Sequence, residues 1–131
     1  MTDAVRPVRV RGIRGATTVE RNDREAILDA TIDLLQQIIE ANAVTADDVA
    51  SAVFTTTPDL NAEFPAVAAR RHFGWHYVAL QCGHEMAVPG SLPMCLRILL
   101  MVNTERRQDE VRHIYARGAT VLRPDLPQRP D

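Results

Sequence analysis

Lysine is absent from this 131-residue chain, and all 15 of its basic residues are arginine. Such a bias reflects codon usage as readily as function, so the position of each arginine matters more than the number. A basic excess is absent too. A net charge of -2 and a pI near 6.1 exclude the overall basic footprint of a nucleic-acid binder. No apolar run reaches the roughly 18 residues that a membrane span requires. The first seven residues lack the apolar core of a secretory signal. The two cysteines, Cys82 and Cys95, form neither a CxxC pair nor a disulfide framework. A protein of the reducing cytoplasm, with no nucleic-acid or membrane partner, is the expectation.

Familiar cofactor motifs are missing as well: there is no GxGxxG and no P-loop. Cys82, His84 and Glu85 lie close together, but their spacing fits no structural zinc pattern and a second ligand pair is lacking. No metal is therefore expected. A Cys82–His84 nucleophilic pair would need the two side chains in contact, which neighbours two apart in a loop rarely achieve.

What is present is ordinary for one globular domain, with 46% hydrophobic and 24% charged residues. The whole chain, 1–131, reads as a single domain, flexible over 1–7 and ending in a Pro-rich tail over 124–131. Alternation over residues 8–14 predicts a strand, with Gly12 and Gly15 allowing close backbone approach near its end. Asn22 and Glu25 form a capping-box-like start to one long helix over 23–41, whose apolar face is Ile27, Thr31, Leu34, Leu35 and Ile38; Asn42 is its expected cap. A brief helical turn at 45–48 and a strand over 49–57 follow. Phe64-Pro65 opens a short helix through 73, stopped by Gly74. Strands over 76–81, 94–104 and 111–116 complete an α+β fold, with 82–90 read as a loop.

The strand over 94–104 decides most. Cys95, Arg97, Leu99 and Met101 share one of its faces, while Leu96, Ile98, Leu100 and Val102 share the other. Both faces are apolar, and a single helix can cover only one. Another subunit is expected to cover the second, which predicts an obligate homo-oligomer. Arg97 projects from that greasy surface and cannot lose its proton. With no acid between Pro89 and Thr104, its partner must be a distant carboxylate or an anionic ligand. Several arginines (Arg14, Arg70, Arg123), one glutamate and neutral donors such as Tyr115 suit a dianionic substrate whose reaction moves no proton.

The order of motifs carries a resemblance. Residues 11–20 (RGIRGATTVE), Thr57-Pro58-Asp59-Leu60, Phe64-Pro65-Ala66, Gly74-Trp75, Glu85-Met86, Cys95-Leu96-Arg97, Arg112-His113-Ile114-Tyr115 and residues 121–126 (VLRPDL) resemble the monofunctional AroH-type chorismate mutases. The likeness spans residues 10–126. It implies a mixed five-stranded sheet with one long helix, in a trimeric pseudo-α/β-barrel with active sites between subunits. It implies a cofactor-free Claisen rearrangement of chorismate to prephenate. Arg97 would face the ether oxygen, and Glu85 the ring hydroxyl with Cys82 beside it. Arg14 and Tyr115 would hold the side-chain carboxylate, and Phe64 and Ala66 the apolar wall. Arg70 and Arg123 would meet the ring carboxylate. The chain departs from the family at Val67, where lysine is frequent, at Gln81, a further expected substrate contact where threonine is usual, and at His84. Should His84 point into the site, its protonation would add charge near Glu85. Competing readings are a non-catalytic trimer that binds a carboxylate metabolite and an enamine- or imine-processing trimer on a similar barrel.

Overall fold

The computed structural model describes residues 5–122. The elements are β1 (Arg9–Thr18), α1 (Arg24–Asn42), β2 (Val49–Thr56), α2 (Ala66–Arg71), β3 (Ala79–His84), β4 (Cys95–Thr104) and β5 (Ile114–Tyr115), with short 3-10 turns between them. They form a five-stranded mixed sheet in the order β3-β2-β4-β1-β5. Strand β4 runs antiparallel to both β1 and β2, while β3 and β5 join the edges in parallel. The expected α+β architecture is therefore present, with the doubly apolar strand at its centre. Arg123 and the Pro-rich tail lie outside the described residues.

Helix α1 covers one face of the sheet. Ile27, Thr31, Leu34, Leu35 and Ile38 are buried as the periodicity predicts, against Ile13, Phe54, Leu96, Ile98 and Leu100. The approach is close: a Cβ on Gly15 would stand 2.6 Å from Ile38 Cδ1, so the absence of a side chain lets the helix settle on β1. On the opposite face the 3-10 turn Arg117–Leu122 covers only the end near Ala16 and Cys95, while Leu99 on the central strand is 39% exposed.

The helix ends differ from expectation. Asp23, rather than Asn22, caps the start, its carboxylate accepting from the Ala26 N–H at 2.7 Å. Asn22 instead ties down the following loop, accepting from the Asn61 and Ala62 N–H groups. At the far end Ala43 takes the left-handed cap at φ 52°. Asn42 is buried and serves another purpose. Its amide donates to the carbonyls of Ile38 and Arg112, and its oxygen accepts from the Arg112 N–H at 2.8 Å.

That bonding explains a second difference. The strand expected over 111–116 shrinks to Ile114–Tyr115 because side chains replace its ladder. Asn42 takes both backbone groups of Arg112, and His113 Nδ1 accepts from the Arg14 N–H at 2.9 Å. Strand β3 also moves, from the expected 76–81 to Ala79–His84. Buried Trp75, whose N–H donates to Ala69, holds the chain back before it can pair with β2. Cys82, Gly83 and His84 consequently lie on a strand, not in a loop. Strand β1 extends to Thr18, which leaves Arg14 in mid-strand rather than at its end.

Replacing Asn42 by alanine deprives several buried backbone groups of a partner at once, so we expect a loss of about 2–4 kcal/mol. Urea denaturation should show a lower midpoint with an unchanged slope.

Candidate active site

Register brings the distant sequence motifs together on the open face. Gly83, Thr55, Arg97, Ala16 and Tyr115 occupy one row across the five strands, in that order. Gln81, Val53, Leu99 and Arg14 form the adjacent row. Glu85 follows directly on β3; its N–H donates to the Thr56 carbonyl at 2.9 Å. Its carboxylate accepts a short hydrogen bond from the Thr55 hydroxyl. Arg14, Glu85, Arg97 and Tyr115 thus line one cleft of about 300 Å³ with Ala16, Thr55 and Leu99.

Two buried polar atoms in this cleft have no hydrogen-bond partner among the described residues: Arg97 Nε and the Tyr115 hydroxyl. Both are donors. Leaving a buried donor unsatisfied costs free energy comparable to a lost hydrogen bond, so the cleft is poised for an acceptor. The guanidinium interacts with the buried Cys95 thiol; burial pushes that thiol up, while Arg97 opposes the rise. A thiol is a weak acceptor and does not meet the charge.

The other expected residues gather elsewhere. Phe64 and Cys82 line a second cleft of about 310 Å³ with Thr56, Leu60, Pro65 and His84. Ala66 and Arg70 belong to this group through Cys82: the Ala66 N–H and the Arg70 cation pull its thiol pKa down, against the larger upward push of burial. Phe64 is 66% exposed, an aromatic ring left standing in solvent. Gln81 is exposed and lines neither cleft. Val67, where a rim lysine was in question, is buried in α2.

Alternation along β3 causes this division. Cys82 and His84 turn toward the helix side, while Gly83 and Glu85 turn toward the open face. Cys82, His84 and Glu85 therefore do not converge, and His84 stands away from Glu85, bonded to Thr56. Position 123 is outside the described residues, so the site as drawn lacks Arg123. A cleft of about 360 Å³ at the other end of the sheet, near Asn42, Glu105 and Arg106, contains none of the expected site residues. Thr55 and His113 escaped the sequence reading. Thr55 holds Glu85, and His113 secures Arg14; the only signal for Thr55 was its outward place in the threonine run at 55–57.

Residues 10–126 match the family chorismate mutase type I. The chain belongs to that family. It is 50% identical over 117 residues to the chorismate mutase AroH of Bacillus subtilis, covering 89% of this chain and 92% of that one. It is 51% identical over 118 residues to the chorismate mutase AroH of Thermus thermophilus, covering 89% and 96% respectively. The solved structure of a chorismate mutase from Clostridium thermocellum superposes with a TM-score of 0.83 at 45% identity, covering 85% of this chain and 98% of that one. Among the described residues no helix is long and apolar enough to cross a membrane.

Because Arg97 Nε is buried without a hydrogen-bond partner among the described residues, deleting the charge should relieve the fold. Arg97→Met, similar in length but neutral, should raise Tm by about 3–6 °C, since an unsatisfied buried group costs on the order of 1–2 kcal/mol. An unchanged or lower Tm by differential scanning calorimetry would mean that the guanidinium is already satisfied in solution.

Proposed function

We propose that this chain is a cytoplasmic chorismate mutase that rearranges chorismate to prephenate, for phenylalanine and tyrosine synthesis, at sites shared between the subunits of a homotrimer. One observation carries the reading: Arg97 Nε and the Tyr115 hydroxyl, buried and without a hydrogen-bond partner among the described residues, belong to side chains that line a cleft with Arg14 and Glu85. The family supplies the reaction, and the donor set suits a substrate with two carboxylates and an ether oxygen.

The division of the site supports the subunit arrangement. Glu85 and Cys82 lie on opposite sides of an edge strand, so one copy cannot offer both to one small molecule. A second copy docked on the open face can bring its Phe64, Cys82, Ala66 and Arg70 against the first copy's Arg14, Glu85, Arg97 and Tyr115. Such docking also covers Leu99 and its neighbours, the apolar face that α1 leaves bare.

The rearrangement breaks the ether carbon–oxygen bond and forms a carbon–carbon bond within one molecule, with no proton gained or lost. As the ether bond opens first, negative charge grows on its oxygen. A fixed guanidinium aimed there binds the transition state more tightly than the ground state. In this reading that is the part of Arg97. Glu85, steadied by Thr55, accepts from the ring hydroxyl and favours the partial positive charge on the ring. Arg14 and Tyr115 hold the side-chain carboxylate, and the apolar wall of Phe64 and Ala66 keeps the reactive chair-like conformer, contributing the orientation term. Arg70 and Arg123 take the ring carboxylate at the rim. No metal or organic cofactor has a role in these steps.

Following the chorismate diene absorbance, Arg97→Ala should lose on the order of 10⁴-fold in kcat/KM, because preorganised charge at a developing oxyanion is worth several kcal/mol. Arg97→Lys should recover little, since a point charge lacks the guanidinium fork. Near-wild-type turnover in either variant would contradict the role. Chelator should leave the wild type unaffected.

The shared site has its own test. Arg97→Ala and Arg70→Ala chains, each impaired alone, should regain activity when unfolded together and refolded. Random assembly gives about a quarter of the sites both intact halves. No recovery in assembled mixed oligomers would place both arginines in one subunit's site.

A further inference from the structure

The cleft on the open face holds one carboxylate and two guanidinium groups, yet these charges stay apart. Arg14, Glu85 and Arg97 line the same space of about 300 Å³. Among the described residues no ion pair joins Glu85 to either arginine. The charges are not remote. Burial raises the Cys95 thiol, Arg97 opposes that rise and Glu85 adds to it, so both charges lie near one sulfur. Opposite charges at such range attract strongly in a partly desolvated cleft. Arg97 Nε is, moreover, a buried donor without a hydrogen-bond partner among the described residues. Something holds the carboxylate back.

The sheet supplies it. Strand β2 lies between β3 and β4, and Thr55 on β2 pairs with Arg97 on one side and Gly83 on the other. Glu85 reaches the cleft from the β3 side, its backbone pinned to β2 by the bond from its N–H to the Thr56 carbonyl at 2.9 Å. Arg97 comes from β4, two strand spacings or about 10 Å away, a gap that these two long side chains can close between them. Arg14, on β1, is one strand further off. Thr55 stands in the middle. Its hydroxyl has a single proton and gives it to Glu85 Oε2 in a short hydrogen bond. Among the described residues this is the only hydrogen bond that the carboxylate makes. Gly83 adds no side chain to support it.

We propose that Thr55 is a positioning residue that keeps the Glu85 carboxylate off the Arg97 guanidinium, so that the cation stays free for an anionic substrate. The inference rests on the reading that this cleft binds chorismate. It gives Thr55 a task in the empty site, beyond steadying Glu85 during the reaction. Without the hydroxyl the carboxylate swings to Arg97, and each incoming substrate must first break that internal pair. A site that is competent for only a fraction of the time binds more weakly by that fraction. The loss therefore falls on KM. Once bound, a substrate that has displaced Glu85 reacts at nearly the ordinary rate.

Thr55→Val keeps the branched shape that suits a strand and removes only the hydroxyl; Thr55→Ala repeats the removal with less bulk. In crystals of the unliganded enzyme, either variant should bring a Glu85 oxygen within the ~4 Å of an ion pair to Arg97. In the chorismate assay KM should rise about 30-fold with kcat changed less than about threefold. That rise is about 2 kcal/mol at 1.4 kcal/mol per tenfold, the range of a hydrogen bond to a charged group. Thr55→Ser should stay close to wild type. In a Glu85→Gln background, whose neutral amide is not drawn to the cation, Thr55→Val should change KM by less than about twofold. A carboxylate still apart from Arg97 in the variant crystals, a loss confined to kcat, or an undiminished KM rise in the Glu85→Gln background would overturn the inference and leave the mutase reading intact. Absence of wild-type turnover would overturn the mutase reading, and the crystals would still decide whether Thr55 keeps the two charges apart.

Discussion

The desolvated guanidinium of Arg97 organises this molecule. It stands on the central strand of the sheet, in a row shared with Thr55, Ala16 and Tyr115. A permanently charged group is kept half-buried there, its Nε buried without a hydrogen-bond partner among the described residues. Such a charge costs stability unless an anion meets it. In the proposed mechanism that cost holds a cation rigidly, and rigidity lets a charge stabilise a transition state without reorganising. The remaining architecture follows from it. Helix α1 seals one face, and on the other a cleft lined by Arg97 and Leu99 is left beside the 3-10 turn Arg117–Leu122.

Around that cation the fold spends its side-chain hydrogen bonds on positioning. Thr55 fixes Glu85, His113 anchors the backbone at Arg14, and Asn42 replaces strand pairing at Arg112 so that β5 can present Tyr115. His113 and Asn42 are polar side chains standing in for missing backbone partners. The same economy appears before α2, where Asn22 and Arg24 grip the loop that delivers Phe64. An exposed phenylalanine on a firmly held loop is a poor use of surface for an isolated chain. It makes sense where a neighbouring copy completes the pocket.

The edge strand β3 has two faces with different duties. Cys82 and His84 turn to one side and Glu85 to the other, a consequence of the two-residue period of any strand. A site that took Cys82 and Glu85 around one substrate could not be built within one copy of this sheet, which is why the proposed site spans two subunits. In the proposed homotrimer, assembly meets the stereochemistry of the site as well as burying apolar surface.

Much of this was legible in the residues alone. The helical face of α1, the two apolar faces of β4 and the short helix after Phe64-Pro65 follow from periodicity and from proline and glycine chemistry, which act over a few residues. The anomalous arginine was equally plain, because its cost depends only on its immediate neighbours. The ordered motifs carried the family, and with it the reaction. Long-range hydrogen bonds decided the rest. The end of β5 and the bonding of Asn22 to the Asn61–Ala62 backbone depend on partners about 40 to 100 positions away, which no local pattern encodes. The separation of the expected site residues into two clefts was likewise set by β-sheet register. One step along β3 exchanges one face for the other, and which step it takes is settled by the pairing with β2.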